Sequence, residues 1–247
     1  MVNNRPTVYN TASVYNEPGG DKLKPFPSGF KEVLYIETAG LSSYATSINL
    51  NENNAKTNKM SDKIEFMLYM PALDLSQTGI KRMTVLKRQY WENNPAFAFN
   101  FELGTKMYVT LRGYIQNSSY PEWSDGNSPN YGYPEFSSVK LSRDTTNGKF
   151  IDYINGTEYI LNGNNPITDN VNCSFQLFDI DTAERTFFKG IRVFKIFVYD
   201  GFNNKLKQHY TPVLDTVNNM PGFYEQVKGY FVHPSDYRGL IAGPYVE

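Results

Sequence analysis

The class of fold is decided by one stretch of the chain, Phe150-Ile151-Asp152-Tyr153-Ile154-Asn155-Gly156-Thr157-Glu158-Tyr159-Ile160-Leu161. Its two halves are rich in aromatic and β-branched residues, which favour strands. Between them stands Asn155-Gly156, a dipeptide that tight hairpin turns prefer because both central residues need a positive φ. The stretch therefore predicts an antiparallel hairpin with strands Phe150–Ile154 and Thr157–Leu161.

The chain after Lys31 repeats this pattern of short apolar or alternating runs separated by turn residues. The other predicted strands are Glu32–Glu37, Lys63–Met70, Thr84–Gln89, Ala96–Leu103, Met107–Ile115, Ser137–Leu141, Cys173–Asp179, Gly190–Tyr199, Leu206–Pro212, Gly222–Glu225 and Gly229–Val232. Short helices are predicted at Leu73–Gln77 and Asp181–Arg185, and loops at Asn49–Asp62 and Asn117–Glu135. Many short strands without a long amphipathic helix predict an all-β sandwich or barrel.

Composition fits one all-β domain and excludes several classes of partner. Aromatic residues make up 15% of the 247 residues, a surplus that suits pleated, half-buried surfaces. The net charge is -1, with Lys and Arg spread along the chain, so we expect no nucleic acid partner. No run is apolar and long enough to span a bilayer, so we expect no membrane partner. The start, Met1–Pro6, lacks the apolar segment of a secretory signal, so we expect synthesis in a cytoplasm without an export signal.

The first residues differ from the rest, because they are rich in Pro and Gly and show no helical period. We predict an extended N-terminal attachment arm over residues 1–26 and one domain over residues 27–247. The arm repeats Val-Tyr-Asn, and the even spacing of Tyr9 and Tyr15 puts both rings on one face of an extended chain. Two interpretations stay open: a disordered tail, or an arm that docks on a neighbouring subunit by strand pairing and side-chain pockets.

Several blocks of the chain resemble a known family of modules. The stretch Pro27–Gly40, PSGFKEVLYIETAG, is similar to the family opening "LPxGYxxLEYIESTGTQYIDTG". The hairpin Phe150–Thr157 is similar to "xxYINGT". Four closing blocks follow in the family's order: Phe188–Asp200 for "FxGRIYSFKIYDNG", Tyr210–Val213 for "DFIPV", Gly222–Glu225 for "GLYD" and Ile241–Pro244 for "FIAGP".

These blocks resemble the concanavalin A-like, laminin-G-like jelly-roll module of bacteriophage structural proteins. The resemblance frames the chain from about Pro27 to Pro244 and implies a sandwich of two antiparallel sheets. The chain departs from the family at Ser47, where the family carries Asp. The middle, Met60–Glu135, matches poorly, and we expect any partner-specific surface to lie there.

Residues that carry chemistry are scarce. The two histidines, His209 and His233, have no nearby Ser or Cys motif that would suggest a catalytic triad. A single Cys173 in an apolar run suits a small buried side chain. The E-x-D-x-(x)-E strand of jelly-roll glucanases is absent, although glycoside hydrolysis needs two carboxylates across a cleft. We therefore predict no catalytic residue, no metal and no cofactor, while Asp179 with Asp181 leaves a calcium-binding interpretation open beside that of a solvated turn.

The most suggestive stretch for binding is Tyr120–Pro134. Aromatic rings beside adaptable polar side chains provide a large contact area at a low entropy cost. The predicted ligand-binding residues are Tyr120, Trp123, Tyr131 and Tyr133, together with Trp91. An alternative stays open, in which these rings cover the edge of the sandwich or a subunit interface.

The resemblance and the missing catalytic motifs predict a non-enzymatic bacteriophage virion structural protein. It would be a capsid decoration, head fibre or tail-associated module, located in the virion and attached to other virion proteins through its N-terminal arm. Such proteins form symmetric oligomers, so we expect a trimer or dimer. The alternative is a carbohydrate-binding, lectin-like module for adhesion to a host-surface glycan.

Overall fold

The computed structural model describes residues 23–39, 47–55, 57–59, 62–69, 81–91, 94–103, 107–113, 137–144, 149–154, 157–161, 172–179 and 189–247. Between residues 67 and 161 it describes backbone alone. All regular structure in these ranges is strand, apart from two short 3-10 turns at Glu52–Asn54 and Tyr237–Gly239. None of the described helical segments has the length and apolarity that crossing a membrane requires.

The larger of two antiparallel sheets contains eleven of the described strands. These are β1 (Phe30–Glu32), β2 (Ile36–Ala39), β5 (Lys63–Tyr69), β9 (Ser137–Asp144), β10 (Lys149–Ile154), β11 (Thr157–Leu161), β13 (Lys189–Tyr199), β14 (Leu206–Asp215), β15 (Met220–Glu225), β16 (Tyr230–Val232) and β17 (Leu240–Ala242). Its main path runs β11-β10-β9-β5-β13-β14-β15-β16. The predicted hairpin is confirmed, with Ile154 opposite Thr157 and Phe150 opposite Leu161.

The smaller sheet contains six described strands. They are β3 (Ile48–Asn49), β4 (Asn58–Lys59), β6 (Lys81–Trp91), β7 (Asn94–Leu103), β8 (Met107–Gly113) and β12 (Asn172–Asp179). The path is β3-β12-β6-β7-β8, with β4 beside β12. Both sheets are antiparallel, and the fold class expected from the sequence, an all-β concanavalin A-like jelly-roll sandwich, is confirmed.

The core is built from the alternate side chains of strands in both sheets. Ile64 and Phe66 of β5 are buried, as are Phe175 and Leu177 of β12. This period of two follows from the pleat, which sends successive side chains to opposite faces. The stretch Asn49–Asp62, which the sequence predicts as a loop, contains the very short strand β4 and the last residue of β3, each of which pairs over only two residues with β12.

The predicted strand Glu32–Glu37 is wrong as a single element. The structure divides it into β1, where Phe30 lies opposite Asp215 of β14, and β2, where Glu37 lies opposite Arg192 of β13. On the other side of this segment the C-terminal β17 pairs with β2, and Val33 bridges to Tyr245. We call residues 30–39 with residues 240–246 the terminal ribbon. It closes the sheet where β13 and β14 separate.

Candidate functional site

The predicted binding residues fall largely outside the described part of the chain. This holds for Tyr9 and Tyr15 of the arm and for Tyr120, Trp123, Tyr131 and Tyr133. The fifth predicted ligand-binding residue, Trp91, is the last residue of β6, and its backbone is described. These assignments therefore stay predictions.

The strand register nevertheless shows at which end of the smaller sheet Trp91 lies and at which end the chain enters the aromatic stretch 114–136. Trp91 lies opposite Asn94 at the β6–β7 turn. In the next pair, Phe97 of β7 lies opposite Gly113, the last residue of β8. The chain therefore leaves β8 towards the aromatic stretch 114–136 at the same end of the smaller sheet as Trp91.

A set of polar side chains lies at this same end of the sandwich. Ser174 of β12 lies opposite Gln89 of β6, and the two strands are antiparallel. Trp91, two residues after Gln89, and Asn172, two residues before Ser174, therefore lie at the same end of the smaller sheet. We define the polar rim as Asn51, Asn58, Lys59, Asp62, Lys63, Asn172, Asn204 and Lys207. The rim includes residues at the connection between β4, which belongs to the smaller sheet, and β5, which belongs to the larger one.

Three ammonium groups hold the polar rim together. Lys59 Nζ donates to Asn172 Oδ1 at 2.7 Å, and Lys63 Nζ donates to Asn204 Oδ1 at 2.9 Å. Lys207 Nζ contacts Asp62 Oδ2 at 2.5 Å. Each bond joins segments more than a hundred residues apart in sequence. A charge-assisted bond is stronger than a neutral one, so these contacts link the Asn172 and Asn204 amides and the Asp62 carboxylate to neighbouring segments.

The rim residues Asn51 and Asn58 are buried, as is the neighbouring Gln208. Asn58 Nδ2 donates to Asn51 Oδ1 at 3.1 Å, and Asn51 Nδ2 donates to Thr57 Oγ1 at 2.9 Å. Among the described residues, the side-chain oxygens Asn58 Oδ1 and Gln208 Oε1 find no hydrogen-bond partner, and each residue is only 1% exposed. Buried polar atoms are normally paired, so these two oxygens retain acceptor capacity that the described residues do not use.

Two tyrosines fasten the segment that carries Asn51 to the larger sheet. The hydroxyls of Tyr210 and Tyr230 both donate to the Leu50 carbonyl oxygen, and they lie 3.0 Å from each other. Burial raises the pKa of Tyr230 to about 12, and it raises the pKa of Tyr210 as well. Both hydroxyls therefore stay protonated and serve as structural donors.

The two histidines take packing roles. His209 is buried with its ring stacked on Phe197 at a centroid distance of 4.5 Å. Burial, with the nearby Lys195 charge as a second cause, lowers its pKa to about 4. His233 lies at the surface, stacks on Phe231 at 5.2 Å, and places Nδ1 2.8 Å from the Pro234 carbonyl oxygen. The charge of His233 contributes to the lowered pKa of the Asp215 carboxyl group, a contact at a turn.

The turn from β13 to β14 adds an exposed aromatic ring next to the rim. Asp200 Oδ1 accepts hydrogen bonds from the backbone N–H groups of Phe202 and Asn203, at 2.9 and 3.1 Å. Asn204 adopts a positive φ of 58°, and its side chain receives Lys63. The ring of Phe202 is 66% exposed.

The described residues contain no metal-binding geometry. Among the described residues, no group of three or more His, Cys, Asp and Glu side chains could hold an ion. Asp179 closes β12, whereas Asp181, its suggested partner in calcium binding, lies outside the described residues. Cys173 lies on β12 with its backbone opposite Asn58.

Comparison with known proteins finds likeness in structure only. No protein-family model matches the chain, and no curated protein matches it. A native heptameric SAP-like pentraxin from Limulus polyphemus is similar at 9% identity, over 87% of this chain and 95% of that chain, with a TM-score of 0.48. The full extracellular region of zebrafish Gpr126/Adgrg6 matches at 10% identity, over 85% of this chain and 27% of that chain, with a TM-score of 0.46. The CBM40 of Ruminococcus gnavus IT-sialidase matches at 17% identity, over 68% and 92%, with a TM-score of 0.38.

Sequence reasoning missed the polar rim and Phe202. The rim residues come from four separate stretches, and for Asn49–Asp62 the sequence predicts only a loop. A local signal existed for the turn, since Asp200-Gly201 and Asn203-Asn204 are strong turn formers. Nothing in the sequence indicated that this turn lies beside Lys63.

Proposed function

We propose that the chain is a non-enzymatic carbohydrate-binding module whose ligand lies at the polar-rim end of the sandwich. One observation carries the proposal: the strand register brings Trp91 and the start of stretch 114–136 to the end where Lys59 and Asn172 lie. Sugar hydroxyls donate and accept hydrogen bonds, which amides and ammonium groups can complement. Aromatic faces supply the apolar contact that fixes a ring.

The roles of the described carboxylates support binding rather than catalysis. Asp62 pairs with Lys207, while Asp200 and Asp215 accept backbone N–H groups of their own turns. Glu225 accepts the N–H groups of Val227 and Lys228 in the same way. Glycoside hydrolysis instead needs one carboxyl group held as an acid facing a second one across a cleft.

A printed glycan array tests this function. Wild type should bind one or more glycans, and Trp123→Ala should lose at least about tenfold in affinity, as expected for a central aromatic anchor. Trp91→Ala should weaken the same glycans. Tyr245→Ala, which removes an exposed ring of the terminal ribbon, is the matched control and should bind as wild type does. Absence of binding to every printed glycan would overturn the proposal.

A virion location is a compatible second proposal, in which residues 1–26 attach the module to other virion proteins and the module forms a trimer or dimer. Residues 24 and 26, at the end of this predicted arm, pack on the chain's own larger sheet. Lys24 N–H donates to the Gln226 carbonyl oxygen at 2.7 Å, and the Phe26 ring meets Tyr224 edge-on at 5.7 Å. The chain is thus anchored on β15 before it enters β1.

Deletion of residues 1–22 tests the arm. The shortened protein should fold and bind glycans, yet fail to join purified particles that incorporate the full chain. Normal incorporation of the shortened protein would show that these residues do not attach it. Sedimentation of both forms would show whether the trimer or dimer depends on the arm.

A further inference from the structure

We propose that Phe202 is a second aromatic contact for the carbohydrate, at the far side of the polar rim from Trp91. This inference rests on the proposed function and extends it, because it predicts that the ligand is an oligosaccharide long enough to cross the rim. No sequence motif indicates a binding role for Phe202, and the inference follows from the tertiary structure alone.

The first support is the rigidity of the turn that carries the ring. Besides the two bonds to Asp200 Oδ1, Asn204 N–H donates to the Asp200 carbonyl oxygen at 2.9 Å, and Lys205 N–H donates to Asn203 Oδ1 at 2.8 Å. Because the backbone is held at each of these positions, Phe202 meets a ligand with little further loss of conformational entropy.

The second support is the environment of the ring. Single exposed apolar side chains are common, so exposure alone does not mark a site. Phe202, however, stacks on no other described ring, and its side chain is not needed by the turn, which uses only its backbone N–H. It stands two residues from Asn204, whose amide oxygen already receives the Lys63 ammonium group. An apolar face therefore borders oriented polar groups, the combination that sugar rings require.

The third support is a series of hydrogen bonds and chain links from Phe202 to Asn172 on β12, the strand that pairs with the β6 strand of Trp91. It passes from Asn204 to Lys63, along the chain to Asp62, from Asp62 Oδ2 to the Lys59 N–H at 2.8 Å, and from the Lys59 ammonium group to Asn172. The series crosses two inter-strand spacings and the tight turn Lys59–Asp62, in which the Asp62 N–H donates to the Lys59 carbonyl oxygen at 3.0 Å, so it spans roughly 16 Å. One sugar unit cannot reach both ends, whereas a chain of several units can.

The chain offers its own matched control. Asp215-Thr216-Val217-Asn218-Asn219 repeats the Asp200 turn, since Asp215 Oδ1 accepts the N–H groups of Val217 and Asn218, and Asn219 has a φ of 55°. Val217 occupies the position of Phe202 and is 79% exposed, but it contacts the region of Gly29, away from the rim. Loss of an exposed apolar side chain from this twin turn should leave glycan binding unchanged.

The experiment uses a printed array of glycans from one to six sugar units, with wild type, Phe202→Ala, Phe202→Trp and Val217→Ala. We expect Phe202→Ala to lose about tenfold in affinity for the longer glycans and little for those of one or two units. Phe202→Trp should retain binding, and Val217→Ala should match wild type. Thermal unfolding of all four proteins checks that they fold equally well.

The outcomes separate this inference from the proposed function. If wild type binds, Trp123→Ala does not, and Phe202→Ala stays within about twofold of wild type on every glycan, Phe202 is no ligand contact and the function stands. If Val217→Ala loses as much as Phe202→Ala, the effect is general to exposed turns and the inference fails. If wild type binds no glycan, both proposals fall together.

Discussion

At the scale of single residues, burial governs the titration of His209. His209 is 6% exposed, its Nε2 atom has no hydrogen-bond partner in the described part of the chain, and Lys195 lies near enough to oppose a positive charge. The pKa of His209 is about 4 in the folded chain against an ordinary value of 6.5. The folded state therefore resists a proton that the unfolded state accepts.

This difference predicts a loss of stability in acid. Between pH 6.5 and pH 4 the unfolded chain binds more protons, so the free energy of unfolding falls as pH falls through this window, by roughly 3 kcal/mol at most. The contribution is fully present above pH 6.5. His209→Phe should lack it, whereas His233→Gln at the surface should keep it. Urea unfolding at pH 7, 5.5 and 4.5 measures the free energy of unfolding of each variant. The prediction is contradicted if this free energy falls equally with pH in wild type and in His209→Phe.

The tyrosine pair gives a second prediction at this scale. Tyr210→Phe and Tyr230→Phe each remove a hydroxyl that donates to the Leu50 carbonyl oxygen, and each should cost about 1–2 kcal/mol of unfolding free energy. The double variant should cost less than the sum, because the two hydroxyls contact each other. Tyr245→Phe is the exposed control. Chemical denaturation checks the cycle, and strict additivity would mean that the hydroxyls act independently.

At the scale of elements, three successive turns share one construction. A carboxylate at the end of a strand accepts the next free N–H groups, and the fourth residue after it has a positive φ. The three are Asp200 with Asn204, Asp215 with Asn219, and Glu225 with Gly229. The carboxylate satisfies backbone donors that a reversing chain would otherwise leave unpaired. Hydrogen bonding from Asn218, the largest cause, lowers the pKa of Asp215.

The positive φ supplies the element-scale prediction. Asn219→Ala should lower the free energy of unfolding by about 1 kcal/mol, because a Cβ without a compensating polar group disfavours the left-handed region. Asn219→Gly should lose less, since glycine adopts this region freely. Thermal unfolding of both variants checks the order, and a larger loss for Gly than for Ala would reject this explanation.

At the scale of the whole molecule, the terminal ribbon closes the larger sheet. Leu240 of β17 is buried, and the pairing of β17 with β2 covers an edge that would otherwise expose unpaired backbone groups. The ion pair between Arg192 and Glu37, at 2.6 Å, ties β2 to β13 on the other side. Both ends of the domain are therefore part of one paired unit.

Two truncations test this view. Deletion of residues 240–247 should remove cooperative unfolding or make the protein insoluble, because β2 loses a neighbour and buried apolar area is exposed. Deletion of residues 1–22 should change the melting temperature by no more than about 2 °C, since β1 and its anchor at Phe26 remain. Calorimetry of both forms decides, and a stable protein without residues 240–247 would disprove the role of the ribbon.

Much of the local structure could be predicted, and the reasons are visible in particular residues. Asn155-Gly156 determined a hairpin because its φ preference acts over two residues. The predicted strand Gly190–Tyr199 agrees within one residue with the observed strand Lys189–Tyr199, because this run is rich in apolar side chains. By contrast, the strand Leu206–Asp215 was ended too early at Pro212. Proline lacks only the backbone N–H donor. The Pro212 carbonyl oxygen still accepts a hydrogen bond from the Val33 N–H, so the strand continues through this residue.

The sequence by itself determined that the chain is all-β, that its strands are short and antiparallel, and that its turns are built on Asp, Asn and Gly. These properties depend on contacts between residues close in sequence. Only the tertiary structure decided that β1 and β2 divide between β14 and β13, that β17 covers β2, and that Lys59, Lys63 and Phe202 share one end of the sandwich. Those contacts join residues more than a hundred positions apart, and which distant pairs meet depends on how the whole core packs rather than on any local preference.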